Sequence, residues 1–295
     1  MAPQHPIFTN VSQNDDIRKR KGDVIGILHF YKPPEDGSDP CFEVTDSSGA
    51  GRKNYGHNPK PVLIQDMRKK ETQFSLDIHS FAAVCRHPPQ TVDFTNATDI
   101  KGKYELDAAT IILKHVPAAQ KVVIFDSTIR RASPSEALCR PVRKVHIDQT
   151  RRGALRRVNL HLSDHEANEV AANRLRVRIV NVWRPIVKPV LDHPLAVGDS
   201  STIQESDLVK VKHIYPESAG ETYAVKYSPA QRFWYWSHMS PSDVLLLQCF
   251  DSLQNLDDTA QPSGVRCAHA SFNPLAFGDE RCRRQSIEVR CLVLG

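Results

Sequence analysis

The chain has 295 residues, 40% of them hydrophobic and 25% charged, the balance of a globular domain and not of a disordered or fibrous chain. Its net charge of +5 comes from basic residues that are scattered apart from the runs Arg18-Lys19-Arg20-Lys21 and Arg281 to Arg284, so nucleic acid is not an expected partner. No apolar run approaches the roughly 18 residues of a membrane span, and the seven Cys are odd in number and lack Cys-x-x-Cys spacing.

The first residues also lack the apolar segment of a secretory signal, so reduced thiols and a cytoplasmic protein are expected. Residues 1–22 are polar, end in a basic run and read as a mobile arm; residues 23–295 read as one domain. Val24–Phe30 and Phe42–Thr45 are expected strands, Gly49–Pro61 a loop and Gln65–Lys70 a helical turn. Lys101–His115 has helical apolar spacing and is stopped by Pro117. Lys121–Asp126 is β-branched and short, a buried strand. Val142–Ile147 alternates like a half-buried strand.

Gly153–Arg174 suggests one or two helices, with Ser163 and Glu166 as a capping box. Gln149-Thr150 is expected to cap the first, and Gln149 could also orient a ligand. Val177–Trp183 is a strand, followed by a Pro-rich crossing. The remainder is mostly β: Glu221–Tyr227, Gln231–Trp236, Val244–Phe250 and Ser286–Leu294. The expected class is mainly β with flanking helices, built as a sandwich or barrel.

His146 and Asp148 form a His-x-Asp at the end of an expected strand. Two residues apart on a strand, they share a face. One imidazole and one carboxylate are two of the three ligands of a 2-His-1-carboxylate site for non-haem Fe(II). The third must come from downstream. His161 and His165 share a helix face that reads as solvated; His193 lies in a Pro-bounded loop; His213 flanks a turn. His238, after the aromatic run Phe233–Trp236, is the second choice, and His269 the first. Beyond it, Arg284-Gln285-Ser286 opens a strand with a guanidinium and a hydroxyl on one face. That pair suits the distal carboxylate of 2-oxoglutarate.

Tyr223, Tyr227, Trp234, Trp236 and His238 are candidates for a substrate pocket. Arg130, Asn181 and Arg184 interrupt apolar segments and read as buried hydrogen-bonding groups, with Arg184 also a candidate for positioning an acidic co-substrate.

Seven ordered stretches carry a resemblance: VIFDSTIR (123–130), PVRKVHIDQTRRG (141–153), IVNVWRP (179–185), VLDHPLAVGD (190–199), MSPSDVLLLQCFDS (239–252), AHASF (268–272) and RRQSIEVR (283–290). Through them the sequence resembles hydroxylase/desaturases of the gibberellin desaturase and 7-alpha-cephem-methoxylase type, from about Val24 to Val293. The resemblance implies a double-stranded β-helix (jelly-roll) core and a Fe(II)/2-oxoglutarate-dependent dioxygenase. It implies iron on His146, Asp148 and His269, and 2-oxoglutarate on Arg284 and Ser286, with Arg281, Arg283 and Arg290 as competing anchors. It also implies O2 as co-substrate and a mostly apolar natural product as substrate, to be hydroxylated, desaturated or rearranged in fungal secondary metabolism. A non-oxidative ligand-binding barrel and a metal-dependent isomerase are the alternatives. Subunit association is open, a homodimer being the assembly to consider.

Overall fold

The computed structural model describes residues 22–44, 51–131, 141–187, 189–255, 266–274 and 284–295. Residues 1–21 of the expected arm, and Arg281 and Arg283 among the competing anchors, lie outside the described residues, whereas Gly22 is held by Asp66 and Tyr235. In chain order the first strands are β1 (Val24–Lys32), β2 (Cys41–Val44), β3 (Gly51–Lys53), β4 (Gly56–Asp66), β5 (Phe81–Val84), β6 (Lys121–Arg131), β7 (His146–Ile147) and β8 (Val177–Pro185). Then come β9 (Leu195–Gly198), β10 (Leu208–Tyr215), β11 (Ser218–Val225), β12 (Phe233–Tyr235), β13 (Val244–Asp251), β14 (His269–Ser271), β15 (Asn273–Pro274) and β16 (Gln285–Leu294). The helices are α1 (Leu76–His79), α2 (Ala97–Asp99), α3 (Glu105–His115), α4 (Arg151–His161) and α5 (Asp164–Ala171).

The strands form two sheets. The major sheet runs β15-β1-β4-β12-β9-β14-β7-β11-β10-β2-β3, the minor one β5-β13-β8-β16-β6. The pair makes the double-stranded β-helix that the resemblance implies. Between them packs a core in which Trp183, Leu245 and Leu247 of the minor sheet meet Leu195 and Val197 of the major one. The other face of the major sheet carries its own apolar cluster, including Leu28, Phe30, Val145, Ile147, Ala268 and Ala270. The outer face of the minor sheet is covered by α3, where Ile111 and Ile112 join Val180, Val182, Ile287 and Val289. Helices α4 and α5 close one end with Ala154, Val158 and Val170 against Ile179 and Leu292.

Strand β8 is central in the minor sheet and buried at every residue, so its three polar side chains, Arg178, Asn181 and Arg184, are buried along with its apolar ones. Thr150 caps α4 by accepting from the Gly153 amide, and Ser163 and Glu166 form the expected capping box of α5.

Three expectations are corrected. Gly49–Pro61 was expected to be loop, but 51–53 and 56–61 are strand. Pro59 and Pro61 pair with His29 and Ile27 of β1, while β12 reaches β4 only at Ile64 to Asp66. The prolines thus sit where β4 has one neighbour and needs no second row of N–H donors. Gln65 and Asp66 end that strand instead of starting a helical turn. His213 lies within β10, not beside a turn, paired with Gly220. Among the described residues, no helix is long and apolar enough to cross a membrane.

Candidate metal centre

Alternation places the first histidine. Val145 and Ile147 are buried in the apolar cluster of the major sheet, so His146 between them turns to the opposite face, toward the minor sheet. Strand β14 repeats the pattern, with Ala268 and Ala270 in the cluster and His269 turned away. The strands are antiparallel neighbours and His269 is the register partner of His146. Asp148 follows at the junction between β7 and α4, where Thr150 begins the helix.

Asp148 Oδ1 lies 3.4 Å from His146 Nε2 and 3.7 Å from His269 Nε2. All three ligand atoms fall within 4.8 Å of one another. Adjacent ligands about 2.1 Å from one metal ion would stand roughly 3 Å apart, so the carboxylate–imidazole spacings need only a small contraction. The tautomers also fit. His146 Nδ1 is 2.8 Å from the Lys144 carbonyl, and His269 Nδ1 is 3.0 Å from the Cys267 carbonyl. A carbonyl can only accept, so each Nδ1 carries the hydrogen and each Nε2 turns a lone pair inward.

Electrostatics agree with that donor set. Burial, helped by His269, lowers the His146 pKa to about 4, which keeps the ring neutral. Burial alone would raise Asp148, but the Arg290 guanidinium, with His146 and His269, holds its carboxyl well below the usual range. Asp148 Oδ2 accepts from Asn181 Nδ2 at 2.8 Å and from Arg290 Nε at 2.9 Å. Arg290 is held in turn by Glu288 at 2.6 Å and by Asp126. One carboxylate oxygen is therefore occupied by donors and the other faces the histidines.

Arg284, Ser286, Glu288 and Arg290 recur every second residue, so β16 presents them on one face. Arg284 is 4% exposed. Its Nη1 donates to the His193 carbonyl at 2.6 Å and its guanidinium stands 5.4 Å from the Trp183 ring. Among the described residues, its Nε and the Ser286 hydroxyl have no hydrogen-bond partner. Burial, with the nearby Arg130, pushes Arg284 down to about 9, so an anion beside it would relieve a real cost. A cavity of about 20 Å³ joins Arg284 to His146, His269, Trp183, Leu195 and Ser271.

Against known proteins, the Oxidoreductase/YMDC permease-like domain family matches residues 28–294. The Fe(II)/2-oxoglutarate-dependent dioxygenase nvfI of Aspergillus novofumigatus is 32% identical over 86% of this chain and 90% of its own. The hydroxylase/desaturase CTB9 of Cercospora beticola is also 32% identical, over 90% of this chain and 85% of its own. A solved structure of the iron and alpha-ketoglutarate-dependent endoperoxidase NvfI superposes with a TM-score of 0.79 at 26% identity, covering 94% of this chain and 99% of that one. This chain belongs to the fungal Fe(II)/2-oxoglutarate-dependent dioxygenase and hydroxylase/desaturase family.

Within this dioxygenase, other candidate residues are placed elsewhere. Arg184 points from β8 to the outer face of the minor sheet. It pairs with Asp107 at 2.9 Å and donates to the carbonyls of His87 and Pro241, so it is not brought to the centre. Its neighbours Asn181 and Trp183 take the inner face, as alternation requires. Arg290 braces Asp148 and is committed away from a co-substrate. Trp236 is 2% exposed, donates to Glu71 and lies under Arg68; Tyr227 is 40% exposed and packs on Phe30. His238 sits in a left-handed turn at φ 50°. None of these three lines the cavity beside the histidines. His161 stacks on Phe125, and His213 bonds Thr222. Glu288 escaped the sequence reading, although the period-two row of polar residues in an apolar strand was its signal.

Proposed function

We propose that His146, Asp148 and His269 hold the iron of this enzyme and that Arg284 and Ser286 hold the distal carboxylate of 2-oxoglutarate, within a single domain spanning residues 23–295. The enzyme is an Fe(II)/2-oxoglutarate-dependent dioxygenase that oxidises a small natural product in fungal secondary metabolism. The observation that carries the residue assignment is the pair of Nδ1–carbonyl hydrogen bonds, which leave the Nε2 atoms of both rings turned toward the Asp148 oxygen, the three ligand atoms within 4.8 Å of one another.

Iron held by these residues would supply O2 activation coupled to the conversion of 2-oxoglutarate to succinate and CO2, and with it the oxidising power to break a substrate C–H bond. The chain's own residues do the rest. The two imidazoles and Asp148 leave part of the coordination sphere open to co-substrate. Asn181 and Arg290 fix which carboxylate oxygen faces inward. Arg284 and Ser286 supply one charged and one neutral donor to a carboxylate, and their unpartnered atoms fit that group. Trp183 and Leu195 wall the cavity and keep bulk water off the reacting atoms.

A ligand-binding barrel or an isomerase would not need a buried guanidinium and hydroxyl beside the triad, so the oxidative reading is preferred. Among the described residues, Cys41, Cys85, Cys249, Cys267 and Cys291 form no disulfide, which supports a reducing, cytoplasmic setting. The test is succinate release. Iron-loaded wild-type protein should form succinate from 2-oxoglutarate in air, and His269→Ala should not. A well-folded, iron-loaded wild type that forms none would overturn the proposal.

A further inference from the structure

The inward side chains of β16 have neighbours on β6, the edge strand of the minor sheet. The two strands are antiparallel, and their register sets Arg130 opposite Ser286, Thr128 opposite Glu288 and Asp126 opposite Arg290. Register partners share a face of the sheet. The alternate pair, Ile129 and Ile287, packs in the outer cluster with α3, which leaves Arg130 on the inner face beside Ser286. Contacts further along agree: Arg290 Nη1 donates to Asp126 and, at 3.4 Å, to Thr128. The register shift in this ladder falls between Arg290 and Cys291, beyond these pairs.

Arg130 and Arg284 line the same cavity as His146 and His269. Ser286 belongs to both, two residues from Arg284 along the chain and directly across the ladder from Arg130. Two guanidiniums turned to one small space repel. Arg284 shows the effect: burial first, and Arg130 second, push it down to about 9. Asp192 and Glu288 offset this only in part, since Glu288 pairs with Arg290 at 2.6 Å and Asp192 accepts from the Arg284 backbone amide. Arg284 also turns its Nη1 to the His193 carbonyl, so part of its fork is committed to the protein. A carboxylate offers two oxygens and about four acceptor sites, room for a second guanidinium.

We propose that Arg130 is a second binding residue for the distal carboxylate of 2-oxoglutarate, closing on it from β6 while Arg284 and Ser286 hold it from β16. The inference rests on the co-substrate site proposed above and deepens it. It also makes that site selective for a keto acid with a second carboxylate. A methyl group in that place would leave two guanidiniums facing each other with no anion between them.

The test uses the full chain with Mn(II) in place of iron, so that nothing turns over. Calorimetry reads the binding of 2-oxoglutarate and of 2-oxovalerate, in which a methyl group replaces the distal carboxylate. Wild type should bind 2-oxoglutarate about tenfold or more tighter. Arg130→Met should weaken 2-oxoglutarate by roughly 10–100-fold and 2-oxovalerate by no more than about threefold, and Arg130→Lys should recover part of the loss. Retained 2-oxovalerate binding reports a folded variant with its metal end intact; if Arg130→Met does not fold, Arg130→Gln carries the same comparison. Unchanged 2-oxoglutarate affinity would overturn the Arg130 contact, and so would an equal loss toward both acids, which marks a structural role. A wild type that binds neither acid, or both alike, would sink the co-substrate site and the Arg130 contact together. A loss in Arg284→Met that Arg130→Met does not share removes the Arg130 contact alone.

Discussion

His146 and His269 face each other as register partners across the β7–β14 ladder, their ring centroids 4.4 Å apart. Two ligands of the candidate centre are therefore set by strand pairing and not by a loop. Substituting either should remove the centre without unfolding the sheet, since the apolar side of each strand is untouched. His146→Ala and His269→Ala should lose iron binding and turnover while keeping the wild-type circular dichroism spectrum. A variant that retained full iron loading and turnover would refute its assignment.

Asp148→Ala should behave differently. It removes a ligand and also leaves Arg290 Nε and Asn181 Nδ2 without their acceptor. Buried donors left unpaired cost about 1–3 kcal/mol. Urea unfolding of the metal-free proteins should show Asp148→Ala less stable than wild type by about that amount. Equal midpoints and slopes would show that the brace contributes nothing in the absence of metal.

The brace itself is open to test. Arg290→Met and Asn181→Ala leave all three ligands in place but free the outer oxygen of Asp148. Partners of this kind are worth roughly 10–100-fold in metal affinity. Competition with a metal chelator should show a loss in that range for Arg290→Met, with partial recovery in Arg290→Lys.

Arg284→Met should raise the KM for 2-oxoglutarate by roughly 10–100-fold, the equivalent of a charge-assisted hydrogen bond at about 1.5–3 kcal/mol. Ser286→Ala removes a neutral donor and should cost a few-fold. Succinate formation against co-substrate concentration measures both. Unchanged KM values would move the anchor elsewhere.

Acid should destabilise the metal-free protein before its carboxylates titrate. His146, His57 and His213 are each lowered from 6.5 to about 4 in the fold, chiefly by burial. Between those values the unfolded chain binds more protons than the folded one, so stability falls as pH falls from about 6.5 to 4. Thermal melting from pH 7 to 4.5 should show a steady decline, and His213→Gln a shallower one. A flat profile would contradict the burial of these rings.

Much of the centre was legible in the sequence because β-strands write their faces in alternation. Val-His-Ile and Ala-His-Ala each show one polar residue between apolar ones, and the structure turns both histidines the same way. The Arg284–Ser286 pair was readable for the same reason. Arg184 misled because alternation also has two outcomes. It lies one residue from Trp183, and only the tertiary packing decides that Trp183 faces in while Arg184 turns out to Asp107. The loop expected at Gly49–Pro61 failed because proline content was weighed without knowing that β4 has a free side there. The brace on Asp148 was unreadable as a unit, since Asn181, Glu288 and Arg290 come from two strands more than 100 residues apart.

The inward row on β16 has a mechanical corollary. Arg284 at one end belongs to the candidate co-substrate site, and Arg290 at the other steadies the candidate metal ligand Asp148, with one strand between them. A dicarboxylic acid that draws on the first guanidinium and a metal that draws on Asp148, which the second guanidinium braces, pull on the same beam. The two bindings should then be cooperative, each tightening the other by an equal factor.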